Sequence, residues 1–265
     1  MIKGLLNIDE NLASSIALRY AGQLTDILSM QIQATHVEEP DAKQRSAGTG
    51  WVQRTWERGI EEAGMQTVLR LIKTENPNCN FIANPKIFVG DRDDEILEEL
   101  RKGRYELFVE GNVNTSNVND FYRLITSPLY SKSPCPMLVV KNLVVPKKGV
   151  ILVGDGVDPQ KLIAQFIKIA KTAKVDFDLV HYKFQENNEL VFLDKREGGS
   201  YLADTESLLK ENGFSVQSSK VICGTPEQAA DSFREYGLAI TTFPTRRSPR
   251  MEMLAHIPTP LILCR

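Results

Sequence analysis

The sequence predicts an α/β protein in two similar halves, each an open five-stranded sheet with helices on both faces. Three observations carry this. Short apolar runs alternate with segments of helical periodicity along the chain. The runs are almost continuously apolar, as in parallel strands covered on both sides. The second half also repeats the first, element by element.

The strands can be matched in order. "KGLLNIDEN" (3–11) pairs with "KGVILVGDGVD" (148–158): each is Lys-Gly, an apolar run and an aspartate, Asp9 and Asp155. "IQATHVEEP" (32–40) pairs with "DFDLVHYKF" (176–184), each carrying a histidine, His36 and His181. "PKIFVGDRDDEILEEL" (85–100) pairs with "SKVICGTPEQAADSF" (219–233), a strand, a glycine and a helix start. "YELFVEGN" (105–112) pairs with "YGLAITTF" (236–243), and "SPCPMLVVK" (133–141) with "IPTPLILCR" (257–265). The offset between partners shrinks from 146 to 124 residues, so the second half has shorter connections. Matches in one consistent order read as an internal duplication. "GDG" at 154–156 therefore marks the restart of the fold; as a GxGxxG fingerprint it fails at Pro159.

The helices follow from periodicity and from their first residues. "LASSIALRYAGQLTDILSM" (12–30), "DDEILEELRKG" (93–103) and "PQKLIAQFIKIAKTAK" (159–174) place apolar residues at helical spacing behind an Asn, Asp or Pro. The run from Trp51 to Glu75 reads as helical with interruptions at Gly59 and Gly64, and Trp51 and Trp56 read as packing residues. His36 and His181 read as strand histidines satisfied by backbone groups. No Ser or Asp pattern beside them suggests a triad.

Composition narrows the function. A net charge of −2 gives no reason to expect nucleic acid or an anionic membrane. No apolar run approaches the roughly 20 residues of a membrane span, and the start of the chain turns polar too soon for a signal peptide. Four scattered cysteines, Cys79, Cys135, Cys223 and Cys264, form no CxxC, and three histidines form no HExxH. A disulfide scaffold, a zinc site and a metal enzyme are not expected, and a reducing cytoplasm is.

Each half resembles a universal stress protein domain. The strand ending in Asp9, "THVEEP", "IFVGD…DEILEEL", "FVEGN" and above all "SPCPMLVVK" carry the resemblance, which covers nearly the whole chain. It implies two flavodoxin-like three-layer sandwiches with strand order 3-2-1-4-5, related by pseudo-twofold symmetry, with domains at 1–143 and 147–265. Such domains commonly dimerise through their last strand. The resemblance thus implies that "PMLVVK" and "PLILCR" meet inside one chain as a pseudo-dimer, with a homodimer as a further association. Pairing these apolar edges would remove an aggregation hazard.

Many members of the family bind ATP above the carboxyl ends of the central strands, the crevice expected in any open α/β sheet. By position, Asp9, Val37 and Asp155 match crevice residues. The family's Gly-x2-Gly-x9-Gly-Ser/Thr loop is poorly kept. In the first half Gly111 holds the first position, Asn114 replaces the second glycine, and Arg123 and Leu124 stand at the Gly-Ser pair. In the second half Thr242 replaces the first glycine, the loop is shorter, and Arg247 and Ser248 stand at the Gly-Ser pair. Arg246, Arg247 and Ser248 could hold an anion, although a solvated loop before a helix is the simpler reading. No P-loop occurs.

The resulting expectation is a non-catalytic cytoplasmic regulatory module for stress response, with no catalytic residues, no metal and a weak or absent ATP site. The alternative is an adenine-nucleotide sensor for ATP or AMP in the first domain. A nucleotide-hydrolysing enzyme would need a metal-holding acid and a phosphate loop, for which the sequence has no pattern. The regulatory partner and the ligand are not readable from the residues.

Overall fold

A computed structural model describes residues 1–40, 51–75, 77–113, 117–186 and 189–265. The first half runs β1 (Ile2–Asn7), α1 (Leu12–Ile27), β2 (Met30–Glu38), α2 (Trp51–Glu75), β3 (Lys86–Val89), α3 (Arg92–Gly103), β4 (Leu107–Gly111), α4 (Val118–Thr126), α5 (Pro128–Lys132) and β5 (Met137–Val140). The second runs β6 (Lys148–Val153), α6 (Pro159–Ala170), β7 (Asp176–Phe184), β8 (Val191–Leu193), a 3-10 turn, α7 (Gly199–Glu211), β9 (Ser218–Gly224), α8 (Pro226–Asp231), β10 (Leu238–Thr242), α9 (Pro249–His256) and β11 (Leu261–Cys264).

All the strands join in one sheet of order β3-β2-β1-β4-β5-β11-β10-β6-β7-β9-β8. Counted in chain order, the first half is 3-2-1-4-5. The second half shows the same order from its edge inward, with β8 added outside β9. Neighbours are parallel except at two places: β5 meets β11, and β8 meets β9, in antiparallel register. The first of these is the centre of the molecule. Met137, Leu138 and Val139 pair with Leu263, Ile262 and Leu261, and all six are fully buried. Because this pairing is antiparallel, the carboxyl ends of the two parallel runs point in opposite directions.

The strands are central because their residues tolerate no water on either face. Leu5, Leu6, Phe108 and Val109 in the first half, and Ile151, Leu152, Ala239 and Ile240 in the second, are completely covered. Helix starts are set by side chains that accept otherwise unpaired backbone N–H groups. Asn11 caps α1 through Ser14 N, Asp91 caps α3 through Asp94 N, and Asp158 caps α6 through Gln160 N and Lys161 N. Thr225 and Gln228 form a reciprocal capping box on α8, with Pro226 at the first helical position.

Three expectations are corrected. Gly59 and Gly64 do not interrupt α2, which runs unbroken from Trp51 to Glu75. At Gly64 the missing side chain lets the helix lie close on the sheet: a Cβ there would stand 3.0 Å from Ile87 Cγ2 and 3.3 Å from His36 Cδ2. Trp51 is not a core residue, being 71% exposed. β8 extends the second sheet by one antiparallel strand beyond the expected five. It has only three residues, and Phe192 on it lies exposed with Lys220 Nζ 5.5 Å from its ring centre.

Contacts beyond the sheet tie the halves together. Tyr20 Oη on α1 donates to Gly237 O at 2.6 Å, and Lys174 N donates to Ile27 O at 2.9 Å. Lys141 Nζ, past the end of β5, donates to Leu254 O and Ala255 O at the last turn of α9, at 2.7 and 2.9 Å. Burial lowers the pKa of this lysine to about 7. No helix among the described residues is long and apolar enough to cross a membrane.

Candidate functional site

The crevice at the carboxyl ends of the first half is built by β1, β2, β3 and β4. Asp9 follows β1 and is half-buried. Its backbone N–H donates to Ser14 Oγ at 2.8 Å, and Asn7 Nδ2 donates to its Oδ2 at 2.9 Å. His36, near the end of β2, lies beside it. Nδ1 donates to Ile8 O at 2.7 Å with Asp9 Oδ1 at 3.4 Å, and Nε2 donates to Glu38 Oε1 at 3.1 Å. Both ring nitrogens face only acceptors, so the ring carries two protons and a charge. Burial opposes that charge, but the hydrogen bonds to Asp9, Glu38 and Ile8 outweigh it and raise the pKa to about 9. Burial likewise opposes the Asp9 carboxylate, while His36 and Arg92 hold its pKa below the ordinary value.

Arg92 is the first residue of α3. It reaches over the sheet to pair with Glu110 at the end of β4, and Tyr130 Oη on α5 donates to the other oxygen of the same carboxylate. Glu110 is 4% exposed. Burial works against the charge of Arg92, but Glu110 and Asp9 raise its pKa further above its usual value. The guanidinium and carboxylate thus form a closed, charge-compensated pair over the fourth strand. Gly111 follows directly. A Cβ there would lie 1.9 Å from Ala13 O, so the first turn of α1 sits hard against the β4 terminus. Val37 is 6% exposed and pairs in register with Phe88; strand alternation turns it to the face opposite His36 and Glu38. Asn114 lies outside the described residues.

The corresponding crevice of the second half is wired differently. Asp155 is exposed and forms no ion pair among the described residues. His181 has Lys183 two residues on, where His36 has Glu38. Its pKa falls, first through burial and then through the Lys183 charge, and its Nδ1 is buried without a hydrogen bond. The first-half histidine is therefore held toward its cationic form and the second-half one toward its neutral form.

An arginine again covers the fourth strand, but from another helix. Arg250, the second residue of α9, is 4% exposed. Its Nη1 donates to Gly156 O at 3.1 Å and Phe243 O at 3.4 Å; its Nη2 donates to Thr242 Oγ1 at 2.8 Å, to Thr241 Oγ1 at 3.3 Å and to Thr242 O. All these acceptors are neutral. Burial lowers the pKa of the guanidinium, and the neighbouring Tyr182 hydroxyl only partly offsets it.

The basic stretch of residues 246–248 does not converge. Arg246 and Arg247 are exposed, and Arg247 lies over the Tyr122 ring of α4, 4.7 Å from its centre. Ser248 caps α9, accepting from Met251 N at 3.3 Å. The buried arginine is two residues further on. Sequence reading missed Arg92, Glu110, Tyr130 and Arg250. One signal was present for both arginines: a cation in the first turn of a helix opposes the helix dipole, so it needs another reason to be there.

No protein-family model matches the chain, and no curated protein matches it by sequence. Solved structures do. A universal stress protein from Archaeoglobus fulgidus superposes with a TM-score of 0.63 at 15% identity, covering 99% of this chain and 96% of that one. A Pseudomonas aeruginosa protein described as functionally unknown gives 0.53 at 13% identity, with coverages of 98% and 91%. Another from that organism, provisionally assigned to the universal stress proteins, gives 0.53 at 13%, with coverages of 98% and 92%. These likenesses span both halves.

Proposed function

We propose that this chain, built on the fold of the universal stress proteins, is a non-catalytic regulatory module of the cytoplasm whose nucleotide crevices are closed by its own side chains. The observation that carries the proposal is the pair of arginines over the fourth strands. Arg92 is neutralised by Glu110, and Arg250 is spent on carbonyls and hydroxyls of β10 and the Gly156 turn.

The residues do not fit a triphosphate. A glycine cradle works because backbone N–H groups can approach phosphate closely. Here the glycine that remains, Gly111, is used by the Ala13 carbonyl. Beside it, Glu110 already holds the Arg92 guanidinium that a phosphate would otherwise meet. In the second half the first glycine position is Thr242, whose hydroxyl and carbonyl both bind Arg250. Catalysis would need a polarising ion or a base directed at a phosphate, and the described residues of neither crevice offer that arrangement. The module would act by presenting its surface to a protein partner, with the two halves joined as a pseudo-dimer.

Calorimetric titration of the nucleotide-free protein with ATP, ADP and AMP tests this. The expected outcome is no saturable heat with ATP up to about 1 mM, an affinity weaker than about −4 kcal/mol. Micromolar ATP binding, reduced by Asp9→Ala, would establish the alternative of an adenine-nucleotide sensor in the first half. Metal-dependent release of phosphate would establish an enzyme.

A further inference from the structure

We propose that Glu227, Glu252 and His256 form a site for one divalent transition-metal ion of the Zn(II) class, linking α8 to α9 on the second half. The potential ligand atoms of the three side chains lie within 4.8 Å of one another. Glu252 and His256 are four residues apart on α9 and so share a face. Glu227 is the second residue of α8, held there by the Thr225–Gln228 capping box and by Pro226. Two helices therefore fix the three positions: α8 places Glu227, and α9 places Glu252 and His256.

The local chemistry leaves these groups without another task. Among the described residues neither glutamate has a lysine or arginine partner. His256 Nδ1 is buried and makes no hydrogen bond. A buried ring nitrogen without a hydrogen bond is costly, and two carboxylates this close repel each other; a divalent cation held by all three side chains would answer the second and, with Nδ1 as its ligand, the first. Zn(II) binds carboxylate oxygen and imidazole nitrogen at about 2.0–2.2 Å. Ligand atoms around one ion then stand at most about 4 Å apart, so contraction by about 1 Å closes the site. The imidazole favours a transition ion over Mg²⁺ or Ca²⁺, which prefer all-oxygen shells. Glu227 is exposed and the other two are half-buried, which leaves room for water as the remaining ligand. The site is remote in chemistry from the arginine-filled crevices and does not depend on the nucleotide reading.

Titration of the full chain with CoCl₂, followed by visible absorption, and with ZnCl₂, followed by calorimetry and thermal melting, is the test. The expected result is saturation at one ion per chain, d–d bands without thiolate charge transfer, and a higher melting temperature with Zn(II) but not with MgCl₂. His256→Ala and Glu252→Gln should each weaken binding by at least about tenfold, since losing even a group that only orients a ligand costs about 10–100-fold. Both positions are partly exposed, so the variants should still fold, which circular dichroism would verify. Three results would overturn the proposal: no saturable Zn(II) binding below about 1 mM, binding unchanged in both variants, or a thiolate charge-transfer band that assigns the ion to the cysteines.

Discussion

His36 and His181 occupy matching strands yet shift in opposite directions: at His36 burial is overcome by Asp9 and then Glu38, whereas at His181 burial is reinforced by Lys183. His36-x-Glu38 presents an acceptor to Nε2, whereas His181-x-Lys183 presents a cation. The consequence for stability has a definite sign. The His36 pKa is about 9 when folded, against an ordinary 6.5. Its contribution is therefore fully present below about pH 6.5 and is lost as pH rises through about 9. A shift of that size corresponds to roughly 3 kcal/mol. His181, with a depressed value, acts on the other side: its contribution is present above pH 6.5 and lost as pH falls below it. Lys141, whose pKa burial lowers to about 7, acts oppositely over the same window, because its contribution grows as pH rises above that value. The His36 contribution is therefore read as a difference between proteins. The melting temperature of His36→Asn should lie furthest below wild type at about pH 6 and approach it by about pH 9.5, and His181→Asn should show no such approach. A gap between His36→Asn and wild type that stays constant from about pH 6 to 9.5 would contradict the assignment of an imidazolium at His36.

At the scale of elements, the strand that joins the halves concentrates the burial. Ile262 on β11 faces Leu138 on β5 in register, and both are fully covered. Truncating Ile262 to alanine should cost about 2–5 kcal/mol, as for other large core residues, read as a fall in the denaturation midpoint. The Thr225→Ala change, which removes only the α8 capping box, should cost about 1 kcal/mol. Equal effects from the two would mean that the β5–β11 seam does not carry the weight given to it. These strands were legible because their apolar runs are unbroken, and the principal helices because their caps and spacing are local. β8 was not: three residues with exposed Val191 and Phe192 give no buried-strand pattern, and only the β9 edge defines them. Continuity of α2 was hidden because Gly64 reads as a breaker until the sheet beneath it is known. The arginines were hidden for a related reason. Arg92 stands within an acidic helix start that resembles a solvated face, and its burial depends on Glu110 and Tyr130 from later elements.

At the scale of the whole molecule, one sheet crosses both halves and reverses direction at its centre, so the two crevices open at opposite ends. Each crevice sits where the fold conventionally places a ligand, and each holds a guanidinium recruited from a different helix. Under the proposed function the positions survive while the space and backbone groups for a triphosphate have gone to internal contacts. The most direct measurement is a crystal structure of the protein grown in about 5 mM Mg-ATP, about fivefold above a dissociation constant of about 1 mM. The expected map shows Arg92 on Glu110, Arg250 on Thr242 and Gly156, and no nucleotide over either fourth strand. An ordered ATP over Gly111, with Arg92 swung away from Glu110 to meet its phosphates, would contradict the account.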